Sequence, residues 1–554
     1  MTDLPSIENS RRGETGEDFS EPPVLDDRSS VWIVLAVGIW CLLLTALVAH
    51  FYRPVPLCHD EFSYLLAADT FSRGRVTNPT HPLWEHFESF HVLHHPSYMS
   101  KYPPAQGLFL AAGQAIFGDP LYGVWLSASL AAGAFAWMLI GLVPKPWALF
   151  GGLLIASHPI LFLYWGQNYW GGAVAMAGGC LVFGAIRRIH QRTDWKDGFM
   201  LAMGLALLAN SRPFEGLVVS LPCALLLFRH FWKASSDERS AIWRNFIWPV
   251  TGLLLVVAGM MGYYNHRITG HALTMPYVVH ENAYAVVPLF LWQDLRPEPD
   301  YRHAVIQRFF TVDAIEQHWT PMQTGSGWAR RKLLDAISMG RLFFTWPLLI
   351  PLLAIGQLRA SRWSPFALLT AGLTFLVSLA TTWMIPHYFA PALGLVFLLI
   401  VSGMIYLAGL GRFGQIAVVA LLAIHLKIVF ADAAAYIAGS QHTPPDAHWS
   451  QVWAWQREQI RKRLLEEPGD DLVVVRYGPQ HAASPAEWVY NAADIDASPI
   501  VWAREMDSER NRKLLEYYQD RRVWLLLPDE EPPKLIEHKP AGINPSGSDS
   551  RLPQ

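Results

Sequence analysis

The chain alternates between long apolar stretches and polar segments. About eleven apolar stretches are present, and most approach the roughly 20 residues with which a helix crosses the hydrocarbon core of a bilayer. The pattern predicts an all-α polytopic membrane protein with about eleven transmembrane helices. The predicted spans are 31–51, 121–143, 147–165, 170–189, 197–210, 214–230, 245–263, 342–358, 365–385, 388–409 and 413–433.

Lysine and arginine residues in the short loops indicate the orientation, because such residues are retained on the cytoplasmic side of a membrane. They fall on alternate loops and share one side if the N-terminus is cytoplasmic. The extracytoplasmic face then carries the long loops 52–120 and 264–341 and the chain after the last span. If the short spans 197–210 and 214–230 were a single span, the predicted orientation of every later span and loop would be reversed. The basic clusters that flank them favour two separate spans.

Four segments follow along the chain. Residues 1–30 are polar and acidic, and predict a disordered cytoplasmic tail. Residues 31–433 contain the spans and their loops, and the apolar stretch 105–118 is too short to cross, so it predicts a helix in the membrane interface. Residues 434–535 predict a small α/β extracytoplasmic domain, and residues 536–554 predict a disordered end.

The α/β prediction depends on two strand-like runs in the tail. DLVVVRY at 471–477 and RRVWLLLP at 521–528 are short and rich in β-branched or aromatic residues. Helical patterns lie beside them at 450–466 and 509–518.

Composition narrows the class of protein further. Of the 554 residues, 52% are hydrophobic and 16% are charged, whereas about 25% are charged in soluble domains, and this excludes a soluble enzyme. A net charge of −3 shows no basic surplus for nucleic acid. Three of the four cysteines lie inside apolar runs, so no disulfide framework is expected.

An acidic pair follows the first span directly, within the segment CHDEFSYLL. Neighbouring carboxylates repel, which raises the pKa of one of them and suits a general base or a metal ligand. The alternative is that Asp60 and Glu61 cap the helix that begins there, because acidic side chains stabilise a helix N-terminus.

Basic residues occur at two further places on the same predicted face. Lys101 and Tyr102 precede two prolines in SKYPPAQG, where a lysine either meets a lipid phosphate or extends to the headgroups. Arg212 and Glu215 interrupt an apolar stretch in ANSRPFEG. The arginine fork suits phosphate oxygens, and the alternative is an Arg212–Glu215 pair that holds a tight turn.

Two more polar groups lie at span ends on that face. His266 and Arg267 follow the seventh predicted span in YYNHRITG, and His387 and Tyr388 occupy a short turn in PHYFAP. Carboxylates, arginines, a lysine, histidines and tyrosines therefore converge on one membrane face from distant segments. A transporter is expected to carry charges near the bilayer midplane instead, so a transferase site at the interface fits better.

These residues resemble the GT-C superfamily of membrane glycosyltransferases, which includes protein O-mannosyltransferases and the aminoarabinose transferases of lipid A. The similarity covers about residues 31–400: a first span with a cytoplasmic N-terminus, an acidic pair opening a long extracytoplasmic loop, KYPP before the second span, and alternating short turns. The segments YYNHRITG, MPYVVHENAY, PHYFAP and EWVYNAADID are similar to those of uncharacterised bacterial members. The resemblance implies a multi-pass protein of the bacterial inner membrane.

The resemblance implies an inverting transfer of a sugar from a polyprenyl-phosphate donor. By position, Asp60 is the base or acceptor-orienting carboxylate and Glu61 the second acidic residue; some members bind a divalent cation there. The phosphate needs charge stabilisation. Its candidate ligands are Arg212, Arg267, Lys101 and His387, and the further site candidates are Tyr102, Glu215, His266 and Tyr388.

The sequence leaves the acceptor open as a lipid, a glycan or a protein. The tail has no WWDYG-like signature, which disfavours asparagine glycosylation, and it lacks the repeat domain of eukaryotic O-mannosyltransferases. The expected partners are the lipid-linked donor, this acceptor and membrane lipids. Two alternatives remain, a lipid or glycan flippase or other transporter, and a non-catalytic scaffold whose tail recruits partners.

Overall fold

The computed structural model describes residues 27–192, 194–438, 452–482 and 486–538. Residues 1–26 of the predicted N-terminal tail and residues 539–554 of the predicted disordered end lie outside them. The described chain is mostly helical, with a small sheet near its C-terminal end. The α-helices are α1 (Arg28–Phe51), α2 (His59–Ser72), α3 (Trp84–Phe87), α4 (Pro104–Phe117), α5 (Leu121–Ile140), α6 (Lys145–Ala156), α7 (Gly172–Ile189), α8 (Trp195–Ala209), α9 (Pro213–Trp232), α10 (Ser236–Ile242), α11 (Trp248–Thr269), α12 (Pro276–Tyr284), α13 (Ala304–Arg308), α14 (Gly325–Phe343), α15 (Trp346–Leu352), α16 (Gln357–Ala360), α17 (Trp363–Ser378), α18 (Ala390–Gly409), α19 (Arg412–Ile437), α20 (Val452–Glu466) and α21 (Ser508–Tyr517).

Seven helices in the described part of the chain are long and apolar enough to cross a membrane. They correspond to α1, α5, α7, α9, α18, α19 and the long helix that ends with α11. The pair α14 and α15 bends by 98° and counts as an eighth span if the two helices form one broken element. The expectation of a polytopic helical protein is therefore met, and the number eleven stays a prediction.

The remaining predicted spans are short or broken helices. The run 147–165 is divided at Pro159 into α6 and a π-helical turn, Ile160–Tyr164, because proline removes a backbone donor and clashes with the preceding turn. The runs 197–210 and 365–385 give the shorter helices α8 and α17, and 342–358 lies across the bend.

The centre of the helical domain is formed by α5, α7 and α18, which pack against one another and are largely buried. α7 also packs closely on α8. The two backbones approach so nearly that a Cβ on Gly204 would lie 2.8 Å from the carbonyl oxygen of Gly178. Small residues allow this close packing between helices in a membrane.

The C-terminal sheet has the strand order β4-β3-β5-β6, with β3 (Asp471–Val475), β4 (Ile500–Arg504), β5 (Arg522–Leu527) and β6 (Lys534–His538). β3 pairs in parallel with β4 and β5, and β6 is antiparallel to β5. The predicted strands are β3 and β5, and the predicted helices are α20 and α21. β4 and β6 were not predicted. The predicted end of the domain, residue 535, falls inside β6.

The sheet shares a hydrophobic core with the first long loop. Leu66 of α2 and Tyr98 pack with Leu472 and Val501 of the sheet. The loop also contains a short antiparallel pair, β1 (Val92–Leu93) and β2 (Met99–Ser100), and the helix α4 where an interfacial helix was predicted. The first loop and the C-terminal sheet therefore lie at the same end of the helical domain.

Candidate active site

A cavity of about 1570 Å³ opens at the end of the helical domain that carries the first loop. Its walls come from the segment between α1 and α2, the start of α4, and the ends of many helices. Gln167 and the turns around Arg212 and Pro386 line it. Parts of the chain that are distant in the sequence therefore meet at one cavity.

Asp60 lies in the first turn of α2 and lines this cavity. Its carboxylate accepts a hydrogen bond from the hydroxyl of Tyr102. The Tyr102 ring is stacked on Tyr64, with 4.7 Å between ring centroids. Burial and the nearby charge of Asp60 raise the pKa of Tyr102 well above its usual value. The hydroxyl therefore stays protonated and donates a hydrogen bond to Asp60. Among the described residues, no basic side chain lies within 4.0 Å of Asp60.

Glu61 has a different environment from its neighbour. Its carboxylate accepts from the backbone N–H groups of Leu57 at 2.6 Å, Cys58 at 3.3 Å and Tyr169 at 3.0 Å. Burial raises its pKa to about 7, although these N–H donors oppose the rise. Glu61 therefore caps α2 and fastens it to the turn at Tyr169, which fits the capping alternative better than a catalytic role.

Lys101 lines the cavity, but its charge is already matched. Its Nζ lies 3.4 Å from Oε1 of Glu281 and 4.9 Å from the ring centroid of Tyr277. Both members of the ion pair are buried, and Arg296 lies 3.8 Å from the second oxygen of Glu281. Lys101 therefore belongs to a buried ion-pair network, and its charge is not free to bind a phosphate. Glu281 was not among the site residues predicted from the sequence.

Arg212 lies just before α9 and lines the cavity, with its guanidinium 4.6 Å from the ring centroid of Tyr388. No carboxylate of the described residues lies within 4.0 Å of it, so Arg212 and Glu215 form no direct ion pair. Glu215 and Tyr388 also line the cavity, and Glu215 is near enough to interact with Arg212 electrostatically. Arg212 is therefore a cation that faces the cavity without a direct ion-pair partner among the described residues.

Three sequence candidates lie away from the cavity lining. His387 is buried behind it against Trp170, with 5.0 Å between ring centroids. His266 and Arg267 are exposed on α11, where Arg267 donates to the hydroxyl of Tyr263 at 2.9 Å. Helical geometry explains their position, because α11 continues to Thr269 and turns its other face towards the cavity.

A pair of histidines lies deeper in the helical domain and was not identified from the sequence. His158 lines the cavity at the break after α6, and its ring centroid lies 5.6 Å from that of His425 on α19. His425 bonds to the hydroxyl of Thr345 at 2.7 Å. A histidine followed by Pro159 inside an apolar run was the only local signal.

The acidic pair does not provide the donor set that a divalent cation needs. Across the described residues, no three His, Cys, Asp or Glu side chains are grouped as metal ligands. Both oxygens of Glu61 accept backbone hydrogen bonds, which leaves Asp60 as the member of this pair with capacity for a cation. A cation shared by Asp60 and Glu61 therefore does not fit this arrangement.

The segment 487–493, from the sequence motif EWVYNAADID, packs on α2 and holds it in place. Tyr490 bonds through its hydroxyl to Nδ1 of His59 at 2.9 Å, and its ring stacks on Phe62 with 4.2 Å between centroids. Ala493 donates its backbone N–H to Asp69 at 2.8 Å. The C-terminal domain thus contacts the helix that carries Asp60 on both sides of this residue.

No protein-family model and no curated protein matches the sequence. Among solved structures, ArnT from Cupriavidus metallidurans bound to undecaprenyl phosphate is 12% identical, with 90% of this chain and 93% of that chain covered and a TM-score of 0.48. The oligosaccharyltransferase of Archaeoglobus fulgidus, in a complex with zinc and sulfate, is 10% identical, with 89% and 67% covered and a TM-score of 0.45. Similarity at this level leaves the reaction to be argued from the site.

Proposed function

We propose that the protein transfers a glycosyl group from a polyprenyl-phosphate donor to an acceptor hydroxyl. One observation carries the proposal: Asp60 and Arg212 face the same cavity, and neither has a partner of opposite charge within 4.0 Å among the described residues. A transferase of this kind needs a carboxylate that accepts the proton of the acceptor hydroxyl and a cation that stabilises the charge of the leaving phosphate. The resemblance of the sequence to GT-C enzymes supports the same reaction class.

In the proposed reaction, the acceptor oxygen forms a bond to the anomeric carbon while the bond from that carbon to the phosphate oxygen breaks. The phosphate leaves with the bonding electrons, and Arg212 stabilises its charge through the guanidinium fork. Asp60 orients the acceptor hydroxyl and takes its proton. Tyr102 holds the carboxylate of Asp60 in place. A single displacement of this kind inverts the anomeric centre.

The lipid part of the donor would use the apolar walls of the cavity. Leu334 and Ile337 of α14 line the cavity and are exposed. Apolar residues exposed on a membrane protein are compatible with acyl or polyprenyl chains. We place the site at the extracytoplasmic face of a bacterial inner membrane, with the N-terminus cytoplasmic.

The test is transfer of labelled sugar by the purified full-length protein in lipid nanodiscs, supplied with undecaprenyl-phosphate sugars and native acceptor lipids, glycans or proteins. Asp60→Asn removes the charge and keeps the shape, and Asp294→Asn is the matched control because Asp294 is exposed and does not line the cavity. We expect transfer by wild type and by the control, and a loss of at least about 100-fold in Asp60→Asn.

Two results would contradict the proposal. One is equal transfer by Asp60→Asn and Asp294→Asn. The other is lipid translocation across vesicles without transfer to any acceptor, which would favour the flippase alternative.

A further inference from the structure

A second cavity, of about 440 Å³, lies beside the first within the two long loops. α12 lies between the two cavities: Glu281 lines the large one, whereas Ala283 and Tyr284 line the small one. A helix rises about 1.5 Å per residue, so these groups are only about 5 Å apart along the helix axis. A ligand in the small cavity is therefore close to the large one.

Aromatic rings form much of the wall of the small cavity, and contacts hold them in position. The guanidinium of Arg302 lies 4.5 Å from the ring centroid of Trp84. Tyr284 donates its hydroxyl to Glu88 at 2.6 Å, and Tyr301 donates to the carbonyl of Tyr284 at 2.5 Å. Rings held in this way offer a preformed flat surface, which lowers the entropic cost of binding.

Exposed polar side chains line the cavity beside these rings. His95, Asp300 and Arg302 are exposed and line it, so their polar atoms can form hydrogen bonds with a ligand. His94 and Glu88 also line the cavity, but each is only 3% exposed.

The charges of this wall disfavour an anionic ligand. Glu88 and Asp300 supply two carboxylates, and Arg302 supplies one guanidinium. Burial lowers the pKa of His94 to about 3, so its ring is neutral. The wall is therefore polar and aromatic, without a surplus of positive charge for a phosphate.

We propose that the small cavity is an acceptor subsite that binds a neutral saccharide unit, an inference that rests on the proposed transferase function. A sugar ring has apolar C–H faces that pack on aromatic rings and a rim of hydroxyls that donate and accept hydrogen bonds. Trp84 and Tyr301 offer the aromatic surfaces, and the exposed side chains of Asp300 and Arg302 offer the polar partners. The volume lies within the range of about 300 to 1,000 Å³ that is usual for ligand pockets.

The test is saturation-transfer NMR of the full-length protein in nanodiscs with maltotriose, cellotriose, mannotriose and chitotriose as probes. Ala283→Trp fills the cavity without removing a polar contact, because Ala283 is exposed on α12. Asn282→Trp is the matched control, because Asn282 is adjacent to Ala283, is also exposed and lines neither cavity. We expect at least one trisaccharide to bind wild type and Asn282→Trp, and to bind Ala283→Trp about tenfold more weakly.

Binding is measured without catalysis, so the two proposals fail separately. Asp60→Asn should bind the trisaccharide as wild type does, and binding without any transfer would contradict the transferase function alone. The subsite is refuted if no trisaccharide binds wild type, or if Ala283→Trp and Asn282→Trp bind equally. Stronger binding of glucose 6-phosphate than of glucose would contradict the inference that the wall of the small cavity disfavours an anionic ligand.

Discussion

Replacing Glu281 by glutamine should destabilise the protein through the buried lysine that it neutralises. The side chains of Lys101 and Glu281 are 5% and 7% exposed. Burial is the largest influence on the pKa of Glu281 and raises it, but Lys101, His280 and Arg296 together outweigh burial and lower the pKa from 4.5 to about 2. Since one pKa unit corresponds to about 1.4 kcal/mol, these interactions together contribute about 3 kcal/mol to folding. This value agrees with the roughly 3 to 5 kcal/mol lost when one member of a buried pair is removed.

The sign of the pH dependence follows from the lowered pKa. The contribution is complete above pH 4.5, where the unfolded carboxylate is also ionised, and it is lost as the pH falls towards 2. The experiment is therefore done at pH 7, by denaturant titration of the protein in detergent with tryptophan fluorescence as the signal. Glu281→Gln should lower the free energy of unfolding by about 3 kcal/mol.

Two comparisons make this experiment specific. Glu316→Gln is the control, because Glu316 is exposed in the same long loop and should change stability by less than about 0.5 kcal/mol. The double variant Lys101→Met/Glu281→Gln should be more stable than Glu281→Gln, since it leaves no unpaired buried charge. The reasoning fails if Glu281→Gln matches Glu316→Gln, or if the double variant is less stable than both single variants.

Four further outcomes follow from the site. Arg212→Gln should raise the KM for the lipid-linked donor about tenfold or more, with the KM for the acceptor unchanged; an equal rise in both would contradict a phosphate role. Arg267→Gln should transfer sugar at the wild-type rate in the same assay, because Arg267 lies outside the cavity lining. Because Glu61 keeps its proton to about pH 7 when folded, stability should decline between pH 4.5 and 7, and Glu61→Gln should flatten that decline in denaturant titrations. Tyr490→Phe should lower kcat with little change in either KM, as expected for a residue that positions Asp60 through α2, and wild-type kinetics would exclude that role.

Position in a turn between helices was enough to predict that Asp60, Arg212 and Tyr388 meet at the cavity. It was not enough for His387, which occupies the same turn as Tyr388 and is buried away from the lining. Asp60 follows an apolar span directly, and Arg212 and Tyr388 lie in short turns between two spans. Successive helices in a membrane run in opposite directions, so alternate turns share a face. Counting spans therefore predicts convergence, even though the exact number of spans stays a prediction.

The sequence could not predict the direction of side chains on a helix whose end was placed too early. The apolar run ends at 263, but α11 continues to Thr269. Tyr264 and Asn265 therefore face the cavity, and His266 and Arg267 face away from it. The pairing of Lys101 was equally hidden, because Glu281 is 180 residues away in the chain and its segment, MPYVVHENAY, does not indicate a partner.

The charged side chains of this cavity fall into two groups: those whose interactions stabilise the structure and those that remain available to a substrate. An unpaired charge in a protein interior is expensive, and the charges deepest in the wall obey this rule: Lys101 is paired with Glu281, and Glu61 is satisfied by backbone N–H groups. Asp60 and Arg212 depart from it, since neither has an oppositely charged group within 4.0 Å among the described residues. Tyr102 and the Cys58 thiol contact Asp60, and the ring of Tyr388 lies beside Arg212. Groups of opposite charge that are held by tyrosines and not by each other keep their capacity for a substrate. The proposed transfer from a lipid phosphate to a hydroxyl depends on this capacity.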